Sequence, residues 1–405
     1  MAVLKWFLLV GSSALLGFLI CRYLYVHPLQ MATYAYASTV TLGALIAVMA
    51  LWFRGRELWI GIPVALVLTV AGYALTTRAI LAREDPRQVP ELTRQPGDPG
   101  LGHTAVVYFT HGEPETYDPI GWINQFNEFD EQRIRFVPFL VRPFFFSGLR
   151  NHYLAVGKSE HRGMHMRMME SLEAAYRAQG DQSTRFYISF LDDDPRPDAA
   201  VIQALNEGAS RIIVLEVFLT ISNHTAEGKH LIEELGVERY APIAYTGPMY
   251  DSELLQTMFV ERANAHLDGA DKSKVGVLLV GHGQPDEWDV EWETETEQEI
   301  GFREDVLARL QADGYRPDLL SLAWMEFKEP KPRTKMEEFV ELGAEKVFYF
   351  SAAISANAMH SQYDVPTLIA EAEVPEGFPA INLGAWNDDP IVIRALKQKV
   401  DAQMD

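Results

Sequence analysis

Cysteine is almost missing from this sequence: Cys21 is the only one among 405 residues. That excludes a disulfide framework and any zinc site built from several thiolates. Positive charge is scarce as well. Lys and Arg number 35 against 56 Asp and Glu, a formal net charge of −21. A chain this acidic has no electrostatic grip on nucleic acid or on an anionic lipid surface, so no nucleic-acid partner is expected. Familiar nucleotide and hydrolase signatures are absent too. There is no G-x-x-x-x-G-K-[ST] phosphate loop and no G-x-S-x-G nucleophile elbow. The pair Gly281 and Gly283 lacks the third glycine and the ribose-binding acid of a dinucleotide site. Apolar residues are plentiful at 48%, too many for a disordered chain.

The charge is unevenly placed. Residues 1–83 carry Lys5, Arg22, Arg54, Arg56, Arg78 and Arg83 against Glu57, a net of +5, which leaves −26 for the other 322 residues. Three long uncharged stretches fill this section: Trp6 to Cys21, the span from Arg22 to Arg54 centred on Thr39–Trp52, and Leu58 to Thr77. Each approaches or exceeds the roughly 20 apolar residues that cross a bilayer core as a helix. Residues 1–83 are therefore read as a membrane anchor of about three transmembrane helices. Gly11, Ser12, Ser13, Gly43, Gly61 and Gly72 are small residues suited to close helix packing. A cleaved signal peptide is the alternative for the first stretch. Lys5 gives it only a thin basic start, no small-residue cleavage site follows, and Ile20 is too large for a lipoprotein box at Cys21. Arg22, Arg78, Arg83 and Arg87 outnumber Lys5, Arg54 and Arg56 by one. The positive-inside bias then puts the soluble part in the cytoplasm, anchored in the inner (cytoplasmic) membrane.

Residues 84–103 are rich in Pro and Gly and read as a linker. Beyond it the chain repeats itself. Residues 106–110 (VVYFT) run into His111-Gly112-Glu113-Pro114-Glu115, and residues 277–280 (VLLV) run into Gly281-His282-Gly283-Gln284-Pro285-Asp286. Gly208 precedes an apolar run and then His224, sixteen residues on; Gly343 precedes another and then His360, seventeen on. Pro-rich turns, Asp194-Pro195-Arg196-Pro197 and Glu329-Pro330-Lys331-Pro332, stand upstream of both. Continuous apolar runs alternating with helical patterns indicate parallel sheets with helical crossovers. The expected fold class is α/β, with two similar Rossmann-like lobes over residues 104–250 and 251–405.

Loops beyond the carboxyl ends of parallel strands line ligand crevices. The repeat thus predicts His111, His224, His282 and His360 around one cleft. Imidazole ligates divalent first-row metals and accepts protons near neutral pH. Metal insertion into a tetrapyrrole needs both properties, because two pyrrole N–H protons leave as the metal arrives. An open site with few protein ligands can release its metal.

Several segments resemble the tetrapyrrole chelatase superfamily, ferrochelatase in particular, over about residues 104–405. Leu278-Leu279-Val280-Gly281-His282-Gly283-Gln284-Pro285 is similar to the family's strand-His-Gly-Leu-Pro segment. Leu322-Ala323-Trp324-Met325-Glu326-Phe327-Lys328-Glu329-Pro330 and Ile381-Asn382-Leu383-Gly384-Ala385-Trp386-Asn387-Asp388-Asp389-Pro390 resemble its later segments. Tyr153-Leu154-Ala155-Val156-Gly157-Lys158-Ser159 resembles its Gly-rich loop near the porphyrin. The resemblance implies that His282 is catalytic and that His360 stands where the family has Glu. His111 stands where ferrochelatases have Gly. Histidine at such positions is similar to the cobalt and sirohydrochlorin chelatases. The implied reaction is insertion of a divalent metal, Fe²⁺ favoured, into a macrocycle such as protoporphyrin IX. A cobalt or nickel chelatase for a sirohydrochlorin-type ring is the alternative, and a non-catalytic membrane-bound tetrapyrrole or metal carrier is the other. His282 and His360 are the expected catalytic pair, and His282, His360, His111 and His224 the metal ligands. Gly157, Ser159, Arg142 and Trp324 are the expected substrate contacts. No tightly bound cofactor is expected, the metal being a substrate.

Three further features are weaker. The acidic run Glu287–Glu299 reads as a solvated loop and helix start rather than a guide for cations. Trp288 and Trp292 within it serve packing as readily as macrocycle contact. Phe144, Phe145 and Phe146 form core, or a lip touching the porphyrin or the membrane surface. His161 and His165 have ligand spacing on a helix, but Gly163 and a Met-rich run argue against a metal there.

Overall fold

A computed structural model describes residues 2–83, 89–131, 137–291 and 293–404. Arg87 and Trp292 lie outside the described residues. The chain forms two compact units, Met1–Pro86 with Thr116–Lys158, and Arg87–Glu115 with Ser159–Asp405.

The first unit opens with helices α1 (Ala2–Tyr25), α2 (Pro28–Trp52) and α3 (Arg56–Leu81). All three are long and apolar enough to cross a membrane. Helix is the form in which such stretches satisfy their own backbone without water. Small residues bring α1 and α3 together: a Cβ on Gly17 would lie 1.9 Å from the Thr69 carbonyl oxygen, and one on Gly72 2.3 Å from that of Ala14. Gly11 and Gly43, also expected to serve packing, face open space.

Residues 116–158, read from sequence as part of the first lobe, gather with these helices instead. They supply α4 (Pro119–Glu131) and α5 (Arg142–Val156). Polar capping explains the association. The Arg150 guanidinium donates to the carbonyls of Tyr23 (2.7 Å), Leu24 (3.3 Å) and Val26 (3.0 Å), the unpaired groups at the end of α1. The Tyr117 hydroxyl donates to the Tyr25 carbonyl at 2.9 Å. Ile123, Phe126 and Phe146 then pack with Cys21, Tyr25, Ile80 and Leu81.

The second unit holds two parallel four-stranded sheets. One has the order β2 (Arg185–Phe190), β1 (His103–Thr110), β3 (Ala209–Glu216), β4 (Ile243–Tyr245). The other has the order β6 (Leu320–Trp324), β5 (Val275–Gly281), β7 (Lys346–Ser351), β8 (Ala380–Gly384). The two orders are equivalent, so the internal repeat is structural. Side chains alternate along each strand. Val106, Tyr108, Ile213 and Leu215 of the first sheet share one core with Val277, Leu279, Phe348 and Phe350 of the second. Helices α6 (His161–Ala178), α9 (Glu253–Ala265), α11 (Glu293–Ala312) and α14 (Pro390–Asp401) contribute to that core. The opposite faces are covered by α7 (Pro197–Asn206) and α8 (Asn223–Glu233) on one sheet, and by α12 (Pro332–Glu341) and α13 (Val365–Ala370) on the other.

Candidate active site

In each sheet the strand order reverses between its two central strands, β1 and β3 or β5 and β7. The carboxyl ends at such a switch point are where α/β sheets bind ligands. His111 and His282 directly follow β1 and β5; His224 and His360 lie in the segments after β3 and β7. The structure gathers these four imidazoles as two pairs. Ring centroids are 4.6 Å apart for His111 and His224, and 5.2 Å for His282 and His360. The pairs sense one another: His360 lowers the proton affinity of both His111 and His282, and His224 is disfavoured as a cation by both His111 and His282. Among the described residues, no three His, Cys, Asp or Glu side chains gather into a set that could hold a metal ion. The four expected metal ligands thus stand as two pairs, one in each half of the unit.

The two His-Gly turns are built alike. His111 Nδ1 lies 2.8 Å from the Gly112 carbonyl oxygen, and His282 Nδ1 lies 2.6 Å from that of Gly283. A carbonyl only accepts, so Nδ1 carries the hydrogen in both rings and Nε2 keeps its lone pair. Both glycines have positive φ, 92° and 84°. A Cβ on Gly283 would stand 2.5 Å from the Glu326 carbonyl oxygen, so the turn needs glycine twice over. The next loops are tied in parallel. Asp192 N–H donates to the His111 carbonyl (2.8 Å) and Glu326 N–H to that of His282 (3.0 Å). Asp192 also brings a carboxylate oxygen to 3.3 Å from His111 Nδ1.

Partial burial in the fold sets the charge state of three imidazoles. It pushes His111, His224 and His282 down, leaving them neutral at pH 7. His360 is the exception. Burial lowers it, but a 2.7 Å hydrogen bond from its Nδ1 to Asp364, with the charges of Asp364, Glu326 and Glu113, lifts it to about 9. His360 and Asp364 bound a short π-helix, His360–Asp364. Its wider turn brings residues four apart almost into line, and such turns often mark functional sites. Glu113 joins the halves of this unit: its carboxylate accepts the Met359 N–H at 3.0 Å, is hydrogen-bonded by Ser159, and is raised by burial.

The expected substrate contacts fare differently. Ser159 is fully buried and holds Glu113 instead of facing a ligand. Trp324 is 5% exposed and lies under the Arg303 guanidinium, 4.0 Å from its ring centroid, so its face is taken. Gly157 ends α5 with φ 93°, its N–H bonded to the Tyr153 carbonyl, and belongs to the other unit. Arg142 is in that unit too, bonded to Asp130. Each is engaged in local structure.

Reading from sequence missed Asp364, although a carboxylate four residues after His360 was a usable signal. It also missed what lies behind His282. The Glu299 carboxylate accepts the His282 N–H at 3.0 Å and faces Arg303 at 3.5 Å, both side chains buried. The acidic run therefore turns inward at its end, where a solvated face was expected. Glu295 in the same run is raised to about 8 by burial and by Glu299 and Asp289. His161 and His165 are both buried, 4.4 Å apart between ring centroids. His165 is bonded by Tyr108 and lies within 3.2 Å of the Thr110 and Ser355 hydroxyls.

Five neutral imidazoles make a testable liability. The unfolded chain takes up protons on histidine near pH 6.5, whereas burial keeps His111, His161, His165, His224 and His282 from doing so, His165 down to about 3. Their stabilisation is present above the unfolded value and is lost as pH falls. Glu113, Glu216 and Glu295, all raised by burial, act with the opposite sign, three carboxyls against five imidazoles. His360 is also opposite: its stabilisation is complete below the unfolded value and is lost as pH rises through about 9. The melting temperature of the full-length protein is expected to drop by several degrees from about pH 7 to about pH 5. A flat profile there would contradict the neutral assignments.

No protein-family model matches the chain, and no curated protein matches it. Solved structures do. SirB from Bacillus subtilis with Fe³⁺ is similar over 74% of this chain and 94% of its own, at 16% identity and a TM-score of 0.44. The sirohydrochlorin chelatase SirB from Bacillus subtilis subspecies spizizenii, in complex with cobalt, covers the same shares at 13% identity and a TM-score of 0.45. DR2241 from Deinococcus radiodurans, a multi-domain protein with structural similarity to chelatases, is similar over 73% of this chain and 54% of its own, at 16% identity and a TM-score of 0.42.

Proposed function

We propose that this protein is a membrane-anchored chelatase that inserts a divalent metal into a tetrapyrrole. One observation carries the reading: matched His-Gly turns present the Nε2 lone pairs of His111 and His282 beside His224 and a strongly basic His360–Asp364 pair. Neutral imidazoles are ligands for an incoming metal. The incoming metal's charge would drive the His360 proton out to solvent, and as the metal passes into the ring the neutral imidazole would take one pyrrole proton, with Asp364 stabilising the imidazolium. The second pyrrole proton would go to the Nε2 lone pair of the neutral His282. Sites that do not close around the metal can pass it on.

Fe²⁺ with protoporphyrin IX is the first substrate pair in this reading. Co²⁺ or Ni²⁺ with a sirohydrochlorin-type ring is the second, favoured by imidazole at both His111 and His360, since affinity at nitrogen donors rises from Fe²⁺ to Co²⁺ to Ni²⁺. The three apolar helices would hold the protein at the membrane, and in this reading the one-residue excess of basic flanks favours a cytoplasmic soluble part.

The test is a panel. Full-length protein in detergent, without oxygen, is mixed with protoporphyrin IX or sirohydrochlorin and with Fe²⁺, Co²⁺ or Ni²⁺, and the metallated product is followed by absorbance. Multiple turnovers with any pair are expected and identify the substrates. Stoichiometric binding without turnover would make the protein a carrier, and no binding of any ring would remove the proposal.

A further inference from the structure

Helix α5 carries its charges inside and its apolar residues outside. Arg142 and Arg150 are 5% and 1% exposed. The exposed positions Phe144, Asn151, Leu154 and Ala155 hold no charge, and neither does the exposed approach Phe139, Leu140 and Val141. A helix facing water has the reverse arrangement. Such a run of exposed apolar side chains marks a surface that meets something other than water.

The surroundings say what that is. The Tyr73 hydroxyl donates to the Leu140 carbonyl at 2.9 Å, and the Tyr73 ring stands 6.4 Å from that of Phe144. Tyr73 lies eight residues before the end of α3, about 12 Å back along the helix. The start of α5 therefore reaches the level of the apolar stretch of α3, not its tip. Val70 and Leu75, on either side of Tyr73 along α3, are exposed at 48% and 68%, so this stretch of α3 presents apolar side chains as well. The two arginines are kept from that surface by Asp130 and by the carbonyls at the end of α1.

We propose that residues 139–155 are a fourth membrane element, an interfacial helix seated in the lipid with Phe144 and Leu154 towards the acyl chains. In sequence this segment interrupts the histidine-bearing unit between β1 and α6. The chain would then pass between that unit and the membrane-seated one at 115–116 and 158–159 as well as through the linker. The inference requires α1–α3 to span a membrane but is independent of the chelatase reading.

The test uses full-length protein with Cys21→Ala, which removes the sole native thiol, and a nitroxide label on Phe144→Cys, Leu154→Cys or, as a water-exposed reference in the other unit, Glu371→Cys. Each is placed in phosphatidylcholine vesicles, and collision with oxygen is compared with collision with a polar nickel chelate. The oxygen-to-nickel ratio at 144 and 154 is expected to exceed that at 371 several-fold. A ratio equal to the reference would overturn the proposal. So would protection from both reagents, which would mean that a second copy or another protein covers the face. The labelled positions stand at opposite ends of the helix, so a folding defect at one leaves the other to decide.

Discussion

Replacing His282 by alanine is expected to lower metal insertion by about a hundredfold or more, the usual scale for a positioned proton acceptor or ligand. The expectation comes from how firmly this ring is held. Its backbone N–H is fixed by Glu299 at 3.0 Å, its Nδ1 by the Gly283 carbonyl at 2.6 Å, and its carbonyl by the Glu326 N–H at 3.0 Å. All of this leaves Nε2 as the one free function of the side chain. The two bonds made by the His282 backbone survive in His282→Ala and only the Nδ1 bond goes with the ring, so the fold is retained and the activity loss is chemical. The variant also removes the ring paired with His360, which lowers the proton affinity of His282 through its own charge. Binding of Co²⁺ by calorimetry should therefore weaken together with turnover. Turnover equal to wild type, with the melting temperature unchanged, would remove His282 from the chemistry and the proposed function with it.

Much of the histidine-bearing unit was legible because repeats expose themselves. Two apolar runs ending in His-Gly, two Gly-to-His spacings and two Pro-rich turns predicted equivalent sheets, and both sheets have the same strand order. The same regularity predicted four distant histidines around one cleft; the structure shows them as two pairs. What stayed hidden depends on contacts that sequence spacing does not encode. Residues 116–158 follow β1 in the chain, yet Arg150 and Tyr117 are claimed by the carbonyls of α1, a pairing across more than ninety residues in each case. Trp324 is an expected substrate contact by its sequence, but its ring is covered by an arginine 21 positions earlier. The acidic run looked solvated because charge density is its only sequence signal. Burial of Glu299 follows from Gly281, where the absence of a side chain makes room: a Cβ there would be 2.0 Å from the Glu299 carboxylate.

That buried arrangement sets the largest expected loss of stability. Arg303 is fully buried, and its guanidinium donates to the carbonyls of Leu279 (3.1 Å) and Ala323 (2.8 Å), bracing the adjacent strands β5 and β6. It also faces Glu299 at 3.5 Å and covers the Trp324 ring. Arg303→Met keeps most of the volume but leaves Glu299 a buried carboxylate with no cation, and removing one member of such a pair typically costs about 3–5 kcal/mol. Two strand carbonyls lose a donor in addition. Neutralising the partner at the same time, in Arg303→Met with Glu299→Gln, removes the stranded charge and keeps a side-chain oxygen for the His282 N–H. The double variant is therefore expected to recover a large part of the loss, as coupled charges do in a mutant cycle. Urea unfolding of the full-length protein in detergent reads both, through the tryptophan signal. If the single variant unfolds at the wild-type midpoint, the pair does not support the His282 turn; if the double variant is no better than the single, the strand brace rather than the charge pair is what Arg303 supplies.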